Sequence, residues 1–230
     1  SGIAHEINQP LNTISLAMDN LLHESVISEN VGKDYLVKKA EKIFENIARI
    51  RNIIDHVRAF SRNNDDYIIT RFDVNQSIKN ALSMISEQFE HLAIKMDIQL
   101  DENMPLVTGN SLKLEQVIIN LLSNAKDAIL EKKKKQSALF DMLIGIRSFH
   151  EMQSIVIEIE DSGTGIKEED IDHILLPFYT TKETGKGTGL GLSISYQIIK
   201  EMNGTIDIVS KASHGTIFKV TLNIPNKEVA

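Results

Sequence analysis

Asp161-Ser-Gly-Thr-Gly165 and Lys186-Gly-Thr-Gly-Leu-Gly-Leu-Ser193 decide how this chain is read: one carboxylate and five glycines in two short clusters. Ahead of the first, Ile155-Val-Ile-Glu-Ile159 is rich in β-branched side chains and reads as a buried strand that delivers Asp161 at its end. Gly163 and Gly165 then permit positive φ and a close approach of backbone to ligand. Behind the second cluster, Leu192-Ser-Ile-Ser-Tyr-Gln-Ile-Ile199 has helical spacing. Glycines that open a helix leave N–H groups at its positive dipole end, where phosphates bind. A single glycine pair would imply only a tight turn. Two clusters and a strand-end aspartate predict a nucleotide pocket. It is not a Walker loop, because no glycine run ends in Lys-Ser/Thr, and no compact strand–turn–helix surrounds the glycines as a dinucleotide fingerprint requires.

The 230 residues suit one large or two small domains. A net charge of −7 disfavours nucleic acid as a partner. No apolar run approaches the roughly 20 residues of a membrane span, and no signal peptide is visible, so no membrane contact is expected within this stretch. Cysteine is absent, which excludes disulfides and thiolate metal sites and is compatible with a cytoplasmic setting, whether or not a longer parent is membrane-anchored. Ser1-Gly-Ile-Ala4 already reads as mid-helix, the mark of a piece of something longer.

From Ala4 the apolar positions run Ile7, Leu11, Ile14, Met18, Leu21, and after a break at Ser25–Gly32 they run Leu36, Ala40, Ile43, Ile47, Ile50, Ile54, Val57. Alternating spacings of four and three define heptad seams. Two long helices, the first ending near Leu22 or Glu24, therefore form a hairpin, and a two-sided seam predicts that two copies pair into a four-helix bundle, a homodimer. His5 falls one step round from the seam and should face water, with Gln9 one turn on. Pro10 cannot donate to the carbonyl of Glu6, so the helix should kink there.

The polar stretch Ser61–Asp66 marks a boundary between a hairpin, residues 1–64, and a second domain, residues 65–230. In the latter, Tyr67–Asp73 reads as a strand, Asp73 caps a helix to about Glu90, and Ile94–Leu100 alternates as a strand. Ser111 is expected to cap an apolar helix, Leu114 to Leu130. The four lysines Lys132–Lys135 at its end are explained by the helix dipole and solvation. Strands over about Met142–Phe149 and Gln153–Glu160, a helix to Met202, and strands Thr205–Val209 and Thr216–Asn223 complete an α+β sandwich with helices on one face of the sheet.

Asn120 and Asn124 are four apart in the apolar helix, sharing a face with Gln116 and, nearby, Asp127. Buried amides need partners, and a hydrogen-bond network would satisfy them. The alternative is a magnesium site, since Mg²⁺ takes hard oxygen ligands and completes its shell with water and phosphates. Thr180, Thr181 and Lys182 offer hydroxyls and a cation near the second glycine cluster. The polar Thr180–Thr188 piece suits a mobile lid.

Five stretches carry a resemblance. His5-Glu-Ile-Asn-Gln-Pro-Leu11, Asn120-Leu-Leu-Ser-Asn-Ala125, Asp161-Ser-Gly-Thr-Gly165, Pro177-Phe-Tyr-Thr-Thr-Lys182 and Gly187-Thr-Gly-Leu-Gly191 resemble, in order, the H, N, G1, F and G2 boxes of bacterial sensor histidine kinases. The first stretch is similar to the subgroup that senses oxygen and dicarboxylates. The resemblance implies a dimerisation and phosphotransfer hairpin followed by a Bergerat-type ATP-binding domain. It makes His5 the phosphoacceptor and Glu6 its orienting base, with Asn124 as ligand of Mg²⁺ supported by Asn120. Asp161 would accept the adenine amino proton, with Gly163 and Gly165 close to the base. Asp127 would line the nucleotide site, and Thr181, Lys182, Lys186, Gly187, Thr188, Gly189, Leu190 and Gly191 would surround the phosphates. A flexible boundary near Ser61–Asp66 would let His5 reach ATP, and phosphohistidine would pass its phosphoryl group to an aspartate of a response-regulator receiver domain.

Two positions depart from the family pattern, and a third separates the chain from related ATPases. Leu175 replaces the first phenylalanine of the F box. Gln9 stands where many relatives carry the Thr or Asn proposed to orient water for dephosphorylating the receiver, so phosphatase activity depends on whether a longer amide does this. Asn120 stands where gyrase, mismatch-repair and chaperone ATPases carry the glutamate that activates water. Two other readings separate by experiment. A hydrolytic ATPase clamp would release phosphate without a phosphoprotein, and a nucleotide-binding scaffold would dimerise and bind ATP without transfer.

Overall fold

The computed structural model describes residues 2–27, 31–61, 69–135, 140–182 and 187–224, with backbone alone for 2–6, 48–49 and 51–61. The chain divides into two compact units, residues 1–63 with 178–190, and residues 64–177 with 191–230.

In the first unit, helix α1 (Gly2–Ile27) packs on helix α2 (Lys33–Ser61). α1 runs past the expected end at Leu22 or Glu24. Ser25 does not break it, because its hydroxyl donates back to the Leu22 carbonyl at 2.7 Å and so stays within the helix. Pro10 lies inside α1. The heptad seam is divided between two environments. Ile7, Ile14 and Leu21 are half-buried, whereas Leu11 and Met18 stay 45% and 46% exposed; beside the seam, Pro10 and Ala17 are buried and Leu22 is 61% exposed. α2 repeats the division, with Ala40 and Ile43 half-buried and Leu36 and Ile47 exposed. The hairpin therefore leaves an apolar stripe uncovered on each helix.

The second unit begins with strand β1 (Thr70–Phe72), and residues 67–68 of the expected strand lie outside the described residues. Helix α3 (Val74–His91) follows, its Asp73 cap accepting from the Asn75 N–H at 2.8 Å as expected. Strands β2 (Lys95–Leu100) and β3 (Val107–Gly109) lead to helix α4 (Ser111–Lys135). Ser111 is not the cap of α4 but its first residue. Asn110 takes that role, its side-chain oxygen accepting from the Lys113 N–H at 3.0 Å, and an amide oxygen reaches the orphan donors of a first turn as well as a hydroxyl does. Strands β4 (Leu143–Glu151) and β5 (Ser154–Asp161), short helix α5 (Glu168–Ile171), helix α6 (Gly191–Glu201) and strands β6 (Thr205–Lys211) and β7 (Gly215–Asn223) complete it.

Five strands form one sheet in the order β2-β4-β5-β7-β6, while β1 and β3 pair separately. The order of elements suggests antiparallel strands, and three of the four pairings in this sheet are antiparallel, but β2 pairs with β4 in parallel, so the sheet is mixed. Side chains alternate across it. Ile146, Ile159, Phe218 and their neighbours point to one face and are buried with Leu121, Leu122, Ile129 and Ile199 of α4 and α6. The opposite face carries Arg147, Glu158, Lys219 and Asp207 in register across four strands, a row of alternating charge. The arrangement is the expected α+β sandwich, and it aims the C-terminal end of β5 at the polar side of α4.

Candidate functional site

Asp161 is the last residue of β5 and is only 5% exposed. One carboxylate oxygen accepts from the Gly163 N–H at 2.7 Å. Burial pushes the Asp161 carboxyl up to about 6, although backbone N–H groups of Gly163 and Thr216 and the Lys132 ammonium all favour the ionised form; Glu160 adds to the rise. A buried carboxylate poised near neutrality is an acceptor for a ligand N–H, and such a bond would favour its charged form.

The two glycines of this turn are needed for different reasons. A Cβ on Gly163 would stand 2.6 Å from the Ala128 Cβ and 2.7 Å from the Ala128 backbone, so only glycine lets the turn lie against α4. The Thr164 N–H donates to the Ala128 carbonyl at 3.3 Å, an acceptor on α4 itself. Gly165 has φ +67, where a side chain would run into the Lys211 carbonyl. Gly215 at the end of the β6–β7 turn, with φ +98, presses equally close on the Asp161 carbonyl.

On α4, Asn120 is held by two neighbours. Its amide nitrogen donates to the buried Ser195 hydroxyl on α6 at 2.8 Å, and its carbonyl oxygen lies where a Cβ on Gly191 would be. Asn120 and Gly191 are thus brought into direct contact, and the amide orientation follows from the Ser195 bond. Asn124 is half-buried one turn further on, and Asp127 lies 3.7 Å from the Lys126 ammonium. Among the described residues no cluster of three or more His, Cys, Asp or Glu could hold a metal. The side-chain amide of Asn124 offers a hard oxygen donor of the kind accepted by a cation that keeps water and phosphate in its shell.

The Phe178 N–H donates to the Gly189 carbonyl at 2.9 Å, and Gly189, at φ +64, packs on the Phe178 and Tyr179 backbones. A Cβ on Gly187 would meet the Thr180 hydroxyl at 2.6 Å and the Lys182 side chain at 3.1 Å. The Lys182 N–H donates to the Thr180 hydroxyl and the Leu190 N–H to that of Thr188. Residues 178–182 and 187–190 thus lie against one another, with Thr181 exposed and Leu190 buried. Lys186 lies outside the described residues. His5 and Glu6 lie on α1, but their side chains, and the expectation that His5 faces water, fall outside them too. Gln9 is half-buried, its carbonyl accepting from the Thr13 hydroxyl at 3.1 Å.

Three residues escaped the reading of the sequence. Lys132 is not merely solvated: its ammonium donates to the carbonyls of Ser162 at 2.8 Å and Ser213 at 3.2 Å. The signal was present, since Asn124, Ala128 and Lys132 follow one another at one-turn spacing. Ser195 was hidden in an amphipathic run. Gly215 sits in a turn whose contact with Asp161 is set by tertiary structure.

Residues 109–226 match the family described as histidine kinase-, DNA gyrase B- and HSP90-like ATPase, and residues 1–66 match the His Kinase A (phospho-acceptor) domain. The chain belongs to the sensor histidine kinases. It is 32% identical over 222 residues to the two-component sensor PprA of Pseudomonas aeruginosa, covering 96% of this chain and 24% of PprA. It is 34% identical over 230 residues to the C4-dicarboxylate transport sensor protein DctB of Rhizobium meliloti, covering 96% of this chain and 34% of DctB. The histidine kinase ThkA, solved in complex with the response regulator protein TrrA, superposes with a TM-score of 0.75 at 22% identity, covering 98% of this chain and 61% of that one, a likeness of fold. The chain spans a quarter to a third of the length of the two sensors it matches. This histidine kinase core carries the ATPase-type sheet and the phospho-acceptor helices in one polypeptide, and no helix among its described residues is long and apolar enough to cross a membrane.

Proposed function

We propose that the chain autophosphorylates His5 from ATP and passes the phosphoryl group to an aspartate of a response regulator. The observation that carries this reading is the buried Asp161 at the end of β5, its glycine turn seated on the helix that bears Asn120 and Asn124, in a chain whose first helix bears His5-Glu6. Asp161 would accept the adenine amino proton while Gly163 and Gly165 keep side chains away from the base. Gly191, Thr181, Lys182, Lys186, Gly187, Thr188, Gly189 and Leu190 would bind the phosphates.

Asn124 would hold Mg²⁺, with Asn120 fixed behind it by Ser195 and Asp127 nearby. The ion, when bound, supplies charge neutralisation across the phosphates. The His5 imidazole attacks the γ-phosphorus in line, the bond from that phosphorus to the bridging oxygen breaks, and ADP departs with the electron pair. Glu6 fixes the imidazole tautomer and takes up its proton. The phosphorus–nitrogen bond then breaks in favour of a receiver carboxylate, and the histidine is regenerated. Transfer needs positioning and charge neutralisation more than covalent help from other residues, which suits an amide in place of a water-activating glutamate at position 120.

The exposed stripes on α1 and α2 support a homodimer through the hairpin, residues 1–64, with residues 65–230 as the ATP-binding domain. The likeness to ThkA supports a receiver domain as the second partner. A cytoplasmic setting for this core follows from its use of ATP. The test is incorporation of γ-labelled phosphate. His5→Ala should bind ATP as the wild type does and incorporate no label, and label persisting in that variant would sink the assignment.

A further inference from the structure

We propose that Lys132 is a positioning residue for the nucleotide site: its ammonium clamps the turn of residues 161–165 to the turn of residues 211–215 and so holds the Asp161 carboxylate in place. This deepens the reading of Asp161 as the adenine acceptor and rests on it. Lys133, Lys134 and Lys135 point to solvent, but Lys132 is half-buried. Its Nζ donates to the carbonyl of Ser162 at 2.8 Å and to that of Ser213 at 3.2 Å, and lies 4.9 Å from the centre of the Phe140 ring. A helix dipole alone would not direct a lysine onto two carbonyls and an aromatic face.

The two turns that it joins are already in contact. The Ser213 N–H donates to the Thr164 carbonyl at 2.5 Å, Ser213 itself stands at φ +69, and Gly165 and Gly215 each touch the backbone of the opposite turn. The carbonyls of Ser162 and Ser213 converge on one point, and like dipoles brought together repel unless a cation lies between them. Without that cation the turn beside Asp161 keeps only the Thr164 backbone bonds to Ala128 of α4 and to Ser213 of the β6–β7 turn, and the two carbonyls are left facing one another. The charged groups that act on Asp161 are Lys132 from α4 and Glu160 from its own strand, the latter paired at 3.3 Å with Arg147 of β4; from β7 it meets the Thr216 backbone. Lys132 is therefore the group that also favours the ionised, proton-accepting form.

The test uses the whole chain. Carbon-13 carboxyl NMR of nucleotide-free protein follows Asp161 through pH, and calorimetry measures ADP affinity between pH 6 and pH 8. Lys132→Met should raise the Asp161 midpoint by about half to one pH unit. At pH 7 the lost ionisation alone should weaken ADP binding by up to about twofold, with almost no such deficit at pH 8; any further loss common to both pH values reports displacement of the carboxylate, and Lys132→Arg should restore midpoint and affinity. If Lys132→Met does not fold, Lys132→Gln keeps a donor for one carbonyl without the charge and should show the same raised midpoint. A midpoint within about 0.2 pH unit of the wild type in the uncharged variant, with Asp161→Asn crippled for ADP, would overturn the role of Lys132 alone. Asp161→Asn binding ADP as the wild type does would overturn the adenine assignment, and this inference with it.

Discussion

Gly163→Ala puts a single methyl group where the structure has least room. The new Cβ would stand 2.6 Å from the Ala128 Cβ and 2.7 Å from both the Ala128 carbonyl carbon and the Asp161 Oδ1. Ordinary carbon contacts need about 3.5–4.0 Å, so α4 or the turn must move by roughly 1 Å. Neither moves freely. Ala128 is flanked by Ala125 and Ile129, which are 1% and 0% exposed, and the turn is tied to α4 through Thr164. Overpacking of this kind costs about 1–3 kcal/mol. Displacing the turn also strains the 2.7 Å bond from the Gly163 N–H to the Asp161 carboxylate, a charge-assisted contact worth about 1.5–3 kcal/mol. With that bond weakened rather than lost, a loss of about 2–4 kcal/mol should lower the melting temperature of the ATP-binding domain by roughly 5–12 °C. Differential scanning calorimetry of the full chain measures this, with Gly32→Ala as the control because a Cβ there meets nothing within 4 Å. ATP affinity should fall in parallel at temperatures where the variant is still folded. A Gly163→Ala protein that melts within about 1 °C of the wild type and binds ATP equally well would refute the claim that this glycine is required by close packing.

Three further predictions concern charge and assembly. Because the Asp161 carboxyl titrates near pH 6, ATP affinity should fall as pH drops through that value, and Asp161→Asn should weaken binding throughout and remove the pH step, read by equilibrium titration. The stability effect has the opposite sense: a raised carboxyl favours the folded state below the ordinary value of 3.8, and that contribution, about 3 kcal/mol, disappears as pH rises through about 6. Asp161→Asn should therefore stabilise the nucleotide-free chain more at pH 7.5 than at pH 4, whereas equal effects at the two values in thermal melts would contradict the burial argument. Replacing Leu11, Met18 and Leu22 by Gln, all on the exposed stripe of α1, should shift sedimentation from dimer to monomer without lowering helical content, and a triple variant that still sediments as a dimer would remove that stripe from the interface.

Much of the fold was legible because its signals are local. The alternation in Ile155–Ile159 marked β5 and put Asp161 at its end, and the spacing of Leu114, Val117, Ile118, Leu121 and Leu122 marked the buried face of α4. What was not legible depends on partners distant in sequence. Periodicity identifies β2 and β4 as strands but cannot say that they run parallel, since pairing direction leaves no trace in either segment. Asn110 and Ser111 are both competent caps, and their order was settled by which one reached the Lys113 N–H. Gly163 was identified as a close-approach glycine, but its neighbour proved to be Ala128 as well as any ligand. Lys132 was obscured by the three solvated lysines that follow it, although its spacing from Asn124 and Ala128 carried the information.

The central claim is that phosphate moves from ATP to a nitrogen of His5, and the chemistry of the bond tests it most directly. The chain is incubated with γ-labelled ATP and Mg²⁺, denatured, and divided between acid and alkali. A phosphoramidate on histidine predicts label lost in acid and retained in alkali. Label that survives acid, or free phosphate released with none on the protein, would contradict it.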